Sequence, residues 1–326
     1  MRNEVLCLRP EKDFTRVGAP APSTLRVHYL SPDDAQVGSL LRQVQALVIP
    51  AVGKPLPKEL FENSSIKIVQ VTGAGVDRLD QVAMKSLGIP IANMPGGSNQ
   101  AVAEYVLTSA LVLSRRLMWS SHEIRQGNYS AFRSRMLADN LAGLEGQTIG
   151  LIGLGVIGLA VAKAFVEFGC HVRFYDSMPK DLELARKLGL ELVSLDQILE
   201  ESDIISLHVP LLPSTLGMIG DAQIRQMKPG AILIQAARGG IVDEKALVAH
   251  LQAGHLGGAA VDVFQIEPIA DDNPLLSLTG DANEKLLLTP HIAGVSRQSF
   301  TNLFRGAWEN VERVVVQGDQ PKHQVF

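Results

Sequence analysis

The 326-residue chain has only two cysteines, Cys7 and Cys170. They lie far apart, in apolar strand-like surroundings, and match no metal-ligand spacing, so a disulfide scaffold and a cysteine metal site are both excluded. Each reads as a small buried residue. Aromatics are scarce at 5%, and no apolar run approaches membrane-spanning length. The most apolar long segment, Ala101 to Leu113, carries Glu104 and stops at Arg115-Arg116, so it reads as a core helix. Met1-Arg-Asn-Glu lacks the apolar stretch of a secretory signal, so the expected setting is cytoplasmic. Charge of one sign is lacking too: 30 basic residues against 34 acidic ones leave −4, interspersed, with no footprint for nucleic acid.

Hydrophobic residues are plentiful at 46%, and the length exceeds that of a usual single domain, so two cores are expected. Short apolar runs at Glu4–Leu8, Leu25–Leu30, Ala46–Ile49, Ile66–Val71 and Ile89–Ala92 alternate with loops and helix-like segments, as in a parallel α/β unit. A helix pattern follows from Asn99 to Leu117, with Ser98 or Asn99 available as N-cap. A second alternating series starts at Gln147. Its strands fall at 148–152, 171–176, 190–193, 203–207, 231–235, 257–261 and 286–288, with helices at 182–188, 221–227 and 244–253 between them. This is the pattern of a doubly wound domain. Asp271 to Asn283 reads as a surface loop, and a last helix runs from Ser296 to Gln317.

At the head of that second series stand Gly153, Gly155 and Gly158, followed eighteen residues on by Asp176. Gly153 permits the tight strand-to-helix turn, Gly155 lets backbone approach a pyrophosphate, and Gly158 lets helix and strand pack closely. A phosphate there meets free N–H groups and the positive end of the helix dipole. Asp176 ends the next strand, where a carboxylate accepts from ribose hydroxyls and repels the 2′-phosphate of NADP. Strand, glycines, helix, strand and acid in this order define a dinucleotide site, with NAD as the expected cofactor.

Three further residues each end a strand of that domain: Arg238, Glu267 and His291. An arginine fork holds a carboxylate and polarises a carbonyl. A histidine accepts or returns a hydroxyl proton near neutral pH, and a carboxylate hydrogen-bonded to it favours the imidazolium. With a nicotinamide, this set suits reversible hydride transfer between an alcohol and a ketone. Taken singly, each has a plainer reading as surface charge or turn residue; their shared position at strand ends is what singles them out.

These motifs, together with Val71-Thr-Gly-Ala-Gly-Val-Asp77, Asn93 to Glu104, His208 to Thr215, Ala237 to Glu244, Val261 to Pro268 and Pro290 to Gly294, make the chain resemble the D-isomer-specific 2-hydroxyacid dehydrogenases over nearly all its length. The resemblance implies two Rossmann-like α/β domains: a smaller flavodoxin-like substrate domain, residues 1–98 and 295–326, and an inserted nucleotide domain, residues 99–294. From pattern alone the last helix would join the nucleotide domain. The resemblance makes Arg238 the substrate-binding arginine, His291 the acid/base and Glu267 its partner. It assigns the nicotinamide carboxamide to Asp262 and the pyrophosphate to the amides of Val156 and Ile157. Around the nucleotide it sets His208, Val209, Pro210, Thr215, Ala236, Ala237, Arg238, His291 and Ala293. The amides of Gly73, Ala74 and Gly75 are to hold the substrate carboxylate, in a cleft between the domains. A homodimer through the helix at 101–113 and its polar extension is implied. Gln235, where asparagine is common, and Gln265-Ile before Glu267 depart from the pattern without touching the proposed chemistry.

The substrate expected is a small 2-keto acid such as hydroxypyruvate or glyoxylate. The alternative is 3-phosphoglycerate, whose phosphate calls for cations such as Lys54, Arg78, Arg133 or Arg135, although the chain stops at Phe326 without the regulatory domain many such enzymes append. Formate dehydrogenases carry glutamine where Glu267 stands. Outside catalysis the rival is an NAD-sensing scaffold akin to the family's transcriptional corepressor. The reading of Asp176 is tested by comparing kcat/KM with NADH and NADPH. NADH is expected to be strongly preferred, and Asp176→Ser to narrow the gap; a wild-type preference for NADPH contradicts the reading.

Overall fold

The computed structural model describes residues 3–325. Two compact units emerge, Met1–Ser98 with Val295–Phe326, and Asn99–Gly294. In the first, five strands, β1 (Glu4–Cys7), β2 (Arg26–Tyr29), β3 (Ala46–Ile49), β4 (Ile68–Val71) and β5 (Ile91–Ala92), form a parallel sheet in the order β2-β1-β3-β4-β5. That is the flavodoxin-like order. β3 and β4 are buried at every position, which is why they read as unbroken apolar runs rather than alternating ones.

One face of this sheet is covered by the helix Arg297–Val315, started by Ser296, whose side chain accepts from the Ser299 amide at 3.0 Å. Its apolar stripe of Leu303, Phe304, Trp308, Val311, Val314 and Val315 packs against Val5, Cys7, Phe14, Val48 and Ile68. The Phe14 ring lies 4.5 Å from Phe304 and 4.9 Å from Trp308. Asn310 on the same helix donates to Gln70 Oε1 of β4 at 2.6 Å, so a buried amide pair fixes the helix register with its polar groups satisfied. Burial pushes the Cys7 thiol up to about 12, which leaves it an inert core residue.

The second unit carries seven parallel strands: β6 (Thr148–Ile152), β7 (His171–Tyr175), β8 (Leu190–Leu192), β9 (Ile204–Leu207), β10 (Ile232–Gln235), β11 (Gly258–Val261) and β12 (Leu286–Leu288). Their order is β12-β11-β10-β9-β6-β7-β8. The chain winds outward one way from β6 through β7 and β8, then returns to β6's other side and continues through β9 to β12. Such a reversal opens a crevice at the carboxyl ends of β6 and β9, where ligands bind in open α/β sheets. The helix Asn99–Ser114 packs Val102, Ala103, Val106, Ala110 and Leu113 into the same core as Ile149, Leu151, Val161 and Phe165.

Two segments differ from the sequence reading. The helix expected to reach Leu117 stops at Ser114; Arg116 turns left-handed at φ 49°, and new helices run Leu117–Arg125 and Tyr129–Ala138. Arg116 lies 5.4 Å over the nearby Trp119 ring and pairs with Asp139, so the break is held in part by a contact distant in sequence. Asn99 is the first residue of its helix rather than a flanking cap. Asp271–Asn283 is not an open loop. Asn273 caps a 3₁₀ turn at Pro274–Ser277, a helical turn follows at Gly280–Asn283, and Leu275 and Leu278 are buried.

Candidate functional site

Every proposed residue of the nucleotide domain falls on the loop after a strand or in the first turn of the helix that follows it, on one edge of the seven-stranded sheet. After β6, Gly153 takes φ 100°, and a side chain there would meet the His208 carbonyl oxygen at 2.6 Å. At Gly158 a Cβ would sit 2.2 Å from the Gly153 oxygen, whereas at Gly155 it would meet nothing within 4 Å. Gly153 and Gly158 thus lie where backbone packs on backbone, whereas the space beside Gly155 is left open. The helix Val156–Glu167 starts at Gly155 with no capping side chain, unlike the helices begun by Asp181, Ser194 and Asp243. Its first amides, including those of Val156 and Ile157, face an open, exposed cradle suited to a pyrophosphate.

Asp176 lies beside this turn. Its Oδ2 accepts from the Leu154 amide at 2.7 Å and its Oδ1 from the Met178 amide at 2.9 Å; Lys180 Nζ is 3.0 Å away. Burial acts to raise its pKa, but the two amides and Lys180 outweigh it and hold the carboxyl below its ordinary value. The carboxylate is therefore ionised at neutral pH, with acceptor capacity left for a ribose hydroxyl. After β9, burial pushes the His208 ring down to about 4, so it is neutral, and its Nε2 is buried without a protein partner. Thr215 closes the loop that follows, donating to the Pro210 oxygen at 2.6 Å and accepting from the Leu212 amide at 2.8 Å. Val209 is half-buried and Pro210 exposed.

After β10, buried Gln235 folds back on the turn it precedes. Its Nε2 donates to the Arg238 oxygen at 2.8 Å and its Oε1 accepts from the Ala237 amide at 3.2 Å. Arg238 Nη1 donates to the Ala237 oxygen at 2.7 Å. Next in sequence, Gly239 packs so closely that a Cβ would lie 1.8 Å from the Phe264 oxygen. That contact docks the arginine turn, with Ala236 and Ala237, onto the loop after β11. There the Phe264 amide donates to Glu267 Oε1 at 3.1 Å, and Glu267 Oε2 is 2.8 Å from His291 Nδ1. An ionised Glu267 makes Nδ1 the donor, which leaves Nε2 as the nitrogen free to exchange a proton with a ligand.

His291 itself sits at φ 55°, a conformation that costs a non-glycine residue about 1–3 kcal/mol. Asp262, fully buried, opposes that cost. Its backbone oxygen accepts from the His291 amide at 2.8 Å; its Oδ1 accepts from Ile292 N at 2.8 Å and Thr289 Oγ1 at 2.6 Å, and its Oδ2 from Ala293 N at 2.8 Å. The sequence reading gave Asp262 to a carboxamide and Ala293 to the nucleotide. The geometry adds that both are tied first to each other. Thr289, Tyr105 and the clamp by Gln235 escaped the sequence reading; only Gln235, as a departure from the common asparagine, had left any signal.

In the other unit, the loop after β4 is pinned by Asn93, which donates to the Ala74 oxygen at 2.7 Å, and by the Met94 amide, which donates to the Gly73 oxygen at 2.8 Å. Gly73 lies against Ala51, and Ala74 and Gly75 are at least partly exposed. Of the cations named for a phosphate, Arg78 is buried, its Nε and Nη1 donating to the Lys54 and Pro50 oxygens at 2.9 and 3.0 Å. Arg135 is paired with Asp281 at 2.6 Å and lies 4.3 Å over Trp119. Lys54 and Arg133 are exposed. Among the described residues no group of three or more His, Cys, Asp or Glu could hold a metal ion, and no helix is long and apolar enough to cross a membrane.

A dinucleotide cradle and an arginine, glutamate and histidine set on one sheet edge define an NAD-dependent dehydrogenase. Residues 107–293 match the family model for the D-isomer specific 2-hydroxyacid dehydrogenase NAD binding domain. The chain is 36% identical over 305 residues to a glyoxylate reductase of Korarchaeum cryptofilum, covering 93% of this chain and 89% of that one. It is 36% identical over 267 residues to a D-3-phosphoglycerate dehydrogenase of Archaeoglobus fulgidus, covering 81% of this chain and 49% of that one. The crystal structure of apo D-mandelate dehydrogenase from Rhodotorula graminis superposes with a TM-score of 0.87 at 26% identity, covering 100% of this chain and 98% of that one. The chain belongs to the D-isomer specific 2-hydroxyacid dehydrogenases, enzymes that move a hydride between NAD(H) and a D-2-hydroxy or 2-keto acid.

The glycine cradle can be tested by separating packing from binding. Gly158→Ala is expected to lower unfolding stability by about 1–3 kcal/mol, because a methyl must enter backbone. Gly155→Ala is expected to cost no more than about 1 kcal/mol of capping, yet to weaken NADH binding, measured by fluorescence titration, at least as severely. Unchanged NADH affinity in Gly155→Ala contradicts the assignment of the open space to the pyrophosphate.

Proposed function

We propose that this protein reduces small unphosphorylated 2-keto acids, glyoxylate or hydroxypyruvate, with NADH. The observation that carries the chemistry is the 2.8 Å contact of His291 Nδ1 with Glu267 Oε2 on the same sheet edge as the glycine cradle and Arg238. When bound, NADH supplies the hydride to the carbonyl carbon. His291 Nε2 donates the proton that the new alkoxide oxygen takes up, and in the reverse direction accepts it from the hydroxyl. Glu267 stabilises the imidazolium before transfer and holds the ring's direction. Arg238 polarises the carbonyl and pairs with the substrate carboxylate.

A small substrate is favoured over 3-phosphoglycerate by the state of the cations. Arg78 is committed to backbone oxygens and Arg135 to Asp281, which leaves Lys54 and Arg133 as exposed candidates for a phosphate. Catalysis is favoured over a scaffold role because Arg238, Glu267 and His291 are all present and two of them touch. A homodimer is supported by Leu117, Met118, Ile124, Tyr129 and Leu137, all exposed on the helices Leu117–Arg125 and Tyr129–Ala138. A cytoplasmic location accords with an NAD-linked reaction.

The test is kcat/KM for NADH-dependent reduction of glyoxylate and hydroxypyruvate, and for oxidation of 3-phosphoglycerate, D-glycerate and D- and L-lactate. Glyoxylate or hydroxypyruvate is expected to lead, and His291→Ala to lower kcat by roughly 10²–10⁴-fold with NADH binding retained. In Glu267→Gln, the alkaline fall of keto-acid reduction is expected at lower pH, since the imidazolium loses its anionic neighbour. A strong preference for 3-phosphoglycerate contradicts the substrate proposed. NADH binding with no turnover on any acid favours the scaffold.

A further inference from the structure

The polar groups around Asp262 form a directed chain that the reaction described above does not use. Thr289 Oγ1 donates its one hydroxyl proton to Asp262 Oδ1 at 2.6 Å. Thr289 can then only accept from Tyr105 Oη, which lies 2.7 Å from it. The direction is therefore set: Tyr105 donates to Thr289, and Thr289 donates to Asp262. Tyr105 stands on the helix Asn99–Ser114, whose Val102, Ala103 and Val106 are buried in the core. Its hydroxyl thus ties the loop after β12 to that helix.

At the other end of the chain stands the left-handed turn of His291. Asp262 accepts from the amides of His291, Ile292 and Ala293 in succession, at 2.8 Å each. Three consecutive N–H groups aimed at one residue fix the path of the backbone that carries the histidine. The His291 amide meets the backbone oxygen of Asp262, and the Ile292 and Ala293 amides meet its carboxylate. A carboxylate free to rotate could satisfy those last two amides only in part, and the left-handed backbone would relax to an ordinary conformation. The imidazole would then move away from Glu267, because its 2.8 Å contact depends on where the backbone starts the ring.

We infer that Tyr105 and Thr289 are positioning residues for the acid/base histidine: through the carboxylate of Asp262 they hold the His291 turn so that Nδ1 meets Glu267. Neither touches the reacting atoms. Asp262 then has a structural duty toward His291 that is independent of any contact with a nicotinamide. This inference rests on the reading of His291 as the acid/base.

The experiment uses the full chain with Tyr105→Phe, Thr289→Val and Thr289→Ser. It measures glyoxylate reduction from pH 5 to 9, NADH affinity by fluorescence, thermal unfolding, and the pH titration of the His291 ring resonance. Tyr105→Phe and Thr289→Val are expected to lower kcat by about ten- to a hundredfold, the scale of a small misplacement of a catalytic group, with NADH affinity within about twofold of wild type on the same reasoning. In both, the alkaline limb of kcat and the ring titration are expected to move to lower pH, as in Glu267→Gln, while Thr289→Ser restores wild-type behaviour. A wild-type ring titration in Tyr105→Phe and Thr289→Val overturns the inference, whatever happens to kcat. So does a loss of activity that tracks only a fall in thermal stability. Absence of turnover in the wild type would instead overturn the functional reading, and the ring titration would still decide the positioning role.

Discussion

Backbone lying directly on backbone at the carboxyl edge of the seven-stranded sheet is the constraint from which the rest of the site follows. Three contacts leave no room for a side chain: Gly153 on the His208 oxygen, Gly158 on the Gly153 oxygen, and Gly239 on the Phe264 oxygen. The first two bring the loops after β6 and β9 together and let the helix Val156–Glu167 start close to the strand. The third docks the arginine turn on the loop that carries Glu267. Each replaces conformational freedom by van der Waals contact, and together they set the spacing of the loops after four strands, β6, β9, β10 and β11.

Electrostatics then fill in what packing leaves open. The buried and half-buried carboxylates on this edge are each matched by donors. Asp176 has two amides and Lys180, Asp262 has two amides and a hydroxyl, and Glu267 has an amide and the His291 ring. Carboxyl groups held this way keep a fixed orientation, so the site does not have to reorganise as charge develops on a reacting carbonyl. Neutral His208 follows the opposite rule, since it is buried with no anion to stabilise a proton.

How much of this could be read from the chain depended on the range of the interaction. β3, β6 and β12 were legible to the residue because an apolar run bounded by glycine, proline or a polar cluster is a local signal, and both sheets follow from strands alternating with helices. The cofactor was legible because glycines and an acid at fixed spacing encode a turn, and the family because several such short motifs follow one another in order along the chain. The break at Arg116 and the ordered stretch around Leu275 were not, since they hinge on Arg116 reaching Asp139 and on two leucines finding a distant core. The link from Tyr105 to Thr289 spans 184 residues, and nothing near either one announces it. Polar networks of that kind are set by tertiary placement, after the pattern of the sequence has done its part.

The account turns on which nitrogen of His291 is held and which is left to react. The most direct measurement is the ring tautomer of His291, from ¹⁵N-resolved NMR of histidine-labelled protein at a pH where the ring is neutral. The account predicts the proton on Nδ1, donated to Glu267, with Nε2 unprotonated and available to take the substrate hydroxyl proton. A neutral ring with its proton on Nε2 would contradict it.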